Sequence, residues 1–126
     1  MADIACNIVL SDALTINIAL NGTAQISPVA VHSVDFANPL ALDGTTYKDF
    51  KCNAITDDTT VNLTNVLDGE AGMIETYNSA SAVITPGTMF TRNYGGGTMD
   101  SAASAYNLIA WTKSSGDILY SILQVI

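Results

Sequence analysis

His32 is the single histidine of this 126-residue chain. It is also the one side chain whose ordinary pKa suits general-base work near neutral pH. A Ser or Cys nucleophile would have to rely on it, and a lone histidine in a run of strand-forming residues reads as structural. Zinc needs three or four imidazole or thiolate ligands, but Cys6, Cys52 and His32 are the whole stock, with no CxxC spacing. The two cysteines read as small core residues, since no secretory signal accompanies them to favour a disulfide. Neither GxxxxGK[ST] nor GxGxxG occurs. The run Gly95-Gly96-Gly97 lacks a following Lys and helix, and it reads as a mobile or closely packed loop.

Carboxylate pairs are the remaining catalytic option, because glycoside hydrolysis uses two of them held roughly 5 to 10 Å apart. Asp57-Asp58 and Asp68/Glu70 are acidic and close in sequence, but both pairs fall at turns, where Asp caps its own backbone. No D-x-[DN]-x-[DN]-G loop arranges these oxygens for Ca²⁺. The sequence therefore predicts no catalytic residue, no metal site and no cofactor. Among the aromatics, Tyr94, Tyr106 and Trp111 are candidates for a sugar-stacking platform, with core or interface packing the competing use.

The elements that would position these groups are strands. Charged residues are 13% of the chain and hydrophobic ones 48%, with mean hydropathy +0.30; 14 Thr, 10 Ser and 10 Asn supply most of the polar surface. Such short neutral side chains suit strands, turns and packed contacts. The formal charge is −8 and the pI about 4.1, opposite to the basic footprint of a nucleic-acid partner. No apolar run reaches membrane-span length, and Met1 to Leu10 holds no positive n-region, so a soluble protein made in a cytoplasm is expected.

From Ile4 to Leu20 apolar residues fall on even positions, which predicts one long strand or two, with a bend at Ser11-Asp12. Asn21-Gly22 predicts a hairpin into Thr23 to Ile26. Val29 to Phe36 changes phase near His32-Ser33 and predicts a bulged strand. Further strands are expected over 45–54, then 59–63 and 72–77 as a meander unit around Asp68-Gly69, then 82–85 and 88–92 as a hairpin around Pro86-Gly87. Ser101 to Tyr106 has some helix tolerance, and 107–112 with 117–126 closes the chain as a hairpin. No repeat of 20 to 50 residues is visible. Nine or ten short strands in one domain, 1–126, predict an all-β antiparallel β-sandwich or jelly-roll-like barrel.

Two segments ask for more cover than one sandwich provides. Residues 1–35 hold Asp3, Asp12 and Asp35 as their only charges, and read as an N-terminal interface arm. The C-terminal segment Ile118, Leu119, Tyr120, Ile122, Leu123, Val125, Ile126 is apolar in both phases, so both of its faces need covering. The interface expected from these two ends comprises Ile4, Ile8, Leu10, Leu14, Ile16, Ile18 and Leu20 from the first, and Ile118, Tyr120, Ile122, Val125 and Ile126 from the second. A symmetric oligomer would bury them.

Residues 40–126 resemble the β-modules of tailed-phage fibres, head fibres and capsid-decoration proteins. The matching pieces are the strand Thr60 to Leu63, the turn at Gly69, the strand Gly72 to Tyr77, and the closing hairpin of Leu108 to Trp111 with Gly116 to Tyr120. The resemblance implies a non-enzymatic virion structural protein, a homotrimer docking on the major capsid protein or other virion proteins and assembled in the host cytoplasm. Shaft repeats are absent, which turns the expectation from host-receptor fibre toward a compact decoration or head-fibre component. The alternative it leaves is a carbohydrate-binding receptor-recognition module of a phage appendage.

Overall fold

The computed structural model describes residues 31–125 and two short strands ahead of them, β1 (Ile8–Leu10) and β2 (Leu14–Ile16). Nine strands follow: β3 (His32–Val34), β4 (Leu40–Asp43), β5 (Phe50–Ile55), β6 (Thr59–Thr64), β7 (Ala71–Asn78), β8 (Ile84–Pro86), β9 (Phe90–Asn93), β10 (Tyr106–Ser114) and β11 (Asp117–Val125). The described residues are all-β, without a helix. Ser101 to Tyr106 makes only one turn, closed by the Ala105 N–H donating to the Ala102 carbonyl at 3.2 Å.

The even-phase run near the N-terminus breaks at residues 11–13 into two antiparallel strands, with Ile8 opposite Ile16 and Leu10 opposite Leu14. The Asn21-Gly22 hairpin and the strand over 23–26 lie outside the described residues. At the other end the closing hairpin is present: β10 and β11 pair antiparallel from Tyr106↔Val125 to Ser114↔Asp117. Its two-residue turn places Ser115 and Gly116 at φ 53 and 84, the doubly left-handed conformation that matches strand twist in a tight hairpin.

Between these hairpins the chain winds rather than meanders. Strands β3, β5 and β7 pair parallel in a six-stranded sheet ordered β3-β5-β7-β10-β11-β9, while β4, β6 and β8 pair parallel in a three-stranded sheet. Successive strands from β3 to β8 thus alternate between sheets. Each parallel pair needs a crossover, and here the crossover is a strand of the opposite sheet. The arrangement is solenoid-like, in place of the expected antiparallel sandwich. His32 lies beside Phe50, and Phe50 beside Ile74, 18 and 24 positions apart. Unequal coil lengths explain why no sequence repeat marks the winding.

Three further expectations change with this topology. β6 and β7 are not a meander unit, because they belong to different sheets, and the same holds for β8 and β9 around Pro86-Gly87. β3 pairs with β5 in unbroken register from His32 to Val34; the irregular registers lie at Cys52/Ile55 and Ile118/Leu119 instead.

The core lies between the sheets. Leu40, Leu42, Val61, Leu63 and Ile84 of the small sheet meet Phe50, Cys52, Ile74, Ile109, Trp111, Ile118 and Ile122 of the large one. A three-stranded sheet opposes only half of a six-stranded one, and the β9–β10 connection covers the remainder, with Met99 packed against the core. This loop is anchored by two fully buried asparagines. Asn107 accepts from the Asp100 N–H (2.7 Å) and donates to the Asp100 carbonyl (3.0 Å); Asn78 donates to the carbonyls of Ala82, Asp100 and Ala102 at 3.2–3.3 Å. The three-glycine run is closely packed: Asn93 brackets it through the Gly97 carbonyl and the Gly96 N–H, and a Cβ on Gly97 would overlap the Ile122 carbonyl.

Candidate functional site

The carboxylates singled out from the sequence hold backbone. Asp57 accepts from the Asp58 N–H (2.8 Å), Asp58 from the Val83 N–H (2.8 Å) and Asp68 from the Gly116 N–H (2.9 Å). Glu70 accepts from the Leu67 N–H at 2.8 Å and pairs with Lys48 at 3.2 Å. The Leu67 hydrogen bond is the largest cause of its lowered pKa, opposed by some desolvation and reinforced by Lys48. Each of these groups fastens a turn to a neighbouring strand. Among the described residues, no three His, Cys, Asp or Glu side chains come together as a metal site.

Cys52 is a free thiol at 0% exposure, and burial pushes its pKa up to about 12. It is a packing residue, as its position in β5 between inward-facing neighbours requires. Cys6 lies outside the described residues.

The aromatic candidates separate. Trp111 is 3% exposed and belongs to the core, so it offers no face to a sugar. Tyr94 (66% exposed) and Tyr106 (41% exposed) do reach solvent, Tyr106 tilted against Tyr77 with ring centroids 4.6 Å apart. Tyr94 lies level with Tyr120, the partner of Trp111. Five residues of strand from there to Tyr106, at about 3.4 Å each, place the two rings' backbones roughly 17 Å apart. They make no shared platform.

The expected interface residues also divide. Ile118 and Ile122 are buried in the chain's own core, and Tyr120 packs partly buried against it, edge-on to Phe90 at 5.4 Å. Strand alternation is the reason: 118, 120 and 122 share the inner phase of β11, so these three are corrected from interface to core. Ile8, Leu10, Leu14 and Ile16 occur in the β1–β2 hairpin, and Val125 ends β11. Ile4, Ile18, Leu20 and Ile126 lie outside the described residues.

The opposite phase of β11 is the one left uncovered. Register across the large sheet aligns Lys51, Glu75, Leu108 and Leu123 in one row on its outer face, and Met73, Ala110 and Ser121 in the next. Leu123 is 54% and Met73 48% exposed, with Leu108, Ala110 and Leu119 half-buried among them. A groove of about 470 Å³ runs over Met73 and Leu108 beside the Lys51–Glu75 ion pair (3.7 Å). These rows carry one cation and one anion. The seven carboxylates Asp43, Asp57, Asp58, Asp68, Glu70, Asp100 and Asp117 sit off this face, at turns, strand ends and loops.

A second uncovered surface is the first coil of the solenoid, where β3 and β4 are the edge strands of their sheets. Between them opens a cleft of about 240 Å³ lined by His32, Val34, Leu42, Asp43 and Tyr47. His32 stacks on Tyr47 (4.3 Å, 9° between planes) and meets Phe50 edge-on. Asp43, on the rim, accepts from Asn65, from the Thr45 hydroxyl and from the Thr45 N–H, which together hold its pKa down to about 2. Periodicity alone did not reveal either surface, because both depend on which strands are neighbours. Compared with protein-family models, curated proteins and solved structures, the chain matches none of them.

Proposed function

We propose that this chain is a non-enzymatic structural module of a virus particle, a small decoration or head-fibre component that works by associating with copies of itself and with a capsid surface. The supporting observation is the outer face of the six-stranded sheet, with Met73, Leu108, Ala110, Leu119 and Leu123 facing away from the core. Exposed apolar residues contiguous over several strands mark an interaction surface, whereas scattered ones do not.

Charge favours a second copy as the occupant. Chains of net charge −8 repel one another in general. They can meet where the charge is locally balanced, as at the Lys51–Glu75 row, with remote carboxylates screened beyond a Debye length of about 8 Å at physiological salt. A trimer is the stoichiometry implied by the resemblance to phage β-modules. The carboxylates occupied as turn anchors and the burial of Trp111 give the enzymatic and glycan-binding readings less to stand on.

Sedimentation equilibrium on the full chain at micromolar concentration tests the reading. The expected result is an oligomer that Met73→Asp or Leu123→Asp converts to folded monomer. A wild-type monomer, or an oligomer indifferent to both substitutions, overturns it. Recovery of the chain at stoichiometric copy number in purified particles tests the virion assignment separately.

A further inference from the structure

The first coil of the solenoid is unfinished at its edge. The His32 N–H donates to the Asp49 carbonyl and the Gly44 N–H to the Thr64 carbonyl, fixing the phase of both ladders. In a parallel ladder alternate residues turn both backbone groups toward one neighbour. Ser33 in β3, and Ala41 and Asp43 in β4, therefore direct their N–H groups away from β5 and β6, toward the open end. An edge of this kind is a template for a further strand, and solenoid ends require a cap. Beside it Val31 is 57% exposed, and the cleft between the two edges leads to Val34 and Leu42.

The chain enters β3 at this edge with thirty residues still to its N-terminal side. Adjacent coils occupy 18 to 25 positions, as His32↔Phe50, Phe50↔Ile74 and Thr59↔Ile84 show, so thirty residues suffice for one more layer. Their sequence fits the place: apolar residues on even positions from Ile4 to Leu20, two carboxylates, and no cation. β1 and β2 form a hairpin whose register keeps that even phase in line, Ile8 with Ile16 and Leu10 with Leu14.

We propose that residues 1–30 cap the solenoid of their own chain, pairing with the outward edge of β3 and laying their even-phase residues over the cleft between β3 and β4. Direct connection to Val31 favours the same chain over a neighbour, because a short tether gives an effective concentration in the millimolar range. This cap is independent of the oligomer reading, which concerns the outer sheet face.

Amide hydrogen exchange by NMR on the full chain tests it, with Ser33, Ala41 and Asp43 as reporters. Capping slows the Ser33 amide by about 100-fold or more against the unstructured rate, and tenfold dilution leaves that protection unchanged. Ile16→Asp should abolish it while the central strand β10 stays protected. Isotope-filtered NOEs on mixed labelled and unlabelled chains should connect the Ser33 amide to residues 1–30 of the same molecule, a readout that holds even where the variant unfolds. Exchange of Ser33 at the unstructured rate overturns the proposal. So do protection that falls on dilution or intermolecular NOEs, which would assign the edge to a second copy.

Discussion

Replacing Asn107 by Ala probes how the uncovered half of the large sheet is closed. The side chain is fully buried and holds Asp100 from both sides, accepting its N–H at 2.7 Å and donating to its carbonyl at 3.0 Å. Two net hydrogen bonds at about 1 kcal/mol each, plus a partly buried N–H left unpaired at about 1 kcal/mol, give a loss of roughly 3 kcal/mol. That is a large share of the roughly 5–15 kcal/mol expected for a domain. Asn78→Ala should cost a similar amount. The two must couple, because both amides donate to the same Asp100 carbonyl, so a double-mutant cycle in urea should miss additivity by about 0.5 kcal/mol or more. Asn107→Asp sharpens the test. It keeps an acceptor for the Asp100 N–H but sets a carboxylate against the Asp100 carbonyl in a buried site. Burial disfavours the charged form, so the folded-state pKa is raised. The deficit then grows as pH rises above the unfolded value near 3.9 and levels off above the folded one. Additive losses below about 0.5 kcal/mol each, or an Asp variant with no pH dependence, would show that the loop is not held this way.

Two neighbouring glycines should behave oppositely. Gly97→Ala drives a Cβ into the Ile122 carbonyl, which cannot yield, and should cost about 2–3 kcal/mol, whereas Gly96→Ala meets open space and should cost about 1 kcal/mol for its positive φ; thermal melts of both decide it. In a Cys6→Ser background, Cys52 should resist Ellman's reagent until the protein unfolds, since its thiol is buried with a pKa near 12; one equivalent reacting under native conditions would refute the placement. For Asp43 the folded pKa of about 2 lies below the ordinary 3.8. Its contribution is therefore complete above pH 3.8 and disappears as pH falls through 2, and Asn65→Ala should raise the midpoint in an NMR titration, the Asn65 hydrogen bond being the largest cause.

Much of the strand content was legible because alternation reports a buried face. Val61, Leu63 and Thr59 point inward in β6 as their spacing predicts, and Asp-Gly and Ser-Gly pairs mark real turns. Pairing was not legible, for a physical reason. A parallel strand in a solenoid has one face on the core and one in solvent, so it shows the same period of two as an antiparallel strand in a sandwich. Thr59 to Leu63 and Gly72 to Tyr77 therefore looked like a meander, although they lie in different sheets. The closing hairpin was readable because its partner is set by a two-residue turn. The uncovered outer face was legible only as a surplus: both phases of β11 are apolar, and the structure identifies Ile118 and Ile122 as the phase that the core uses.

The open end and the outer face compete for the same supply of cover. Residues 1–30 are the main stretch of chain outside the two-sheet body, and a coil of 18 to 25 positions uses most of it. If that segment closes the end, Met73 and Leu123 are left to another molecule, and the two proposals stand together. If it lies instead across the outer face, Ser33 exchanges freely, and Met73→Asp lowers the stability of a monomer rather than dissociating an oligomer. Covering the exposed half of one such side chain is worth about 1 kcal/mol, so the sign of the effect is measurable in either case. A Met73→Asp variant that loses mass in sedimentation but keeps its unfolding midpoint as a monomer would thus assign the face to a partner and leave residues 1–30 for the end.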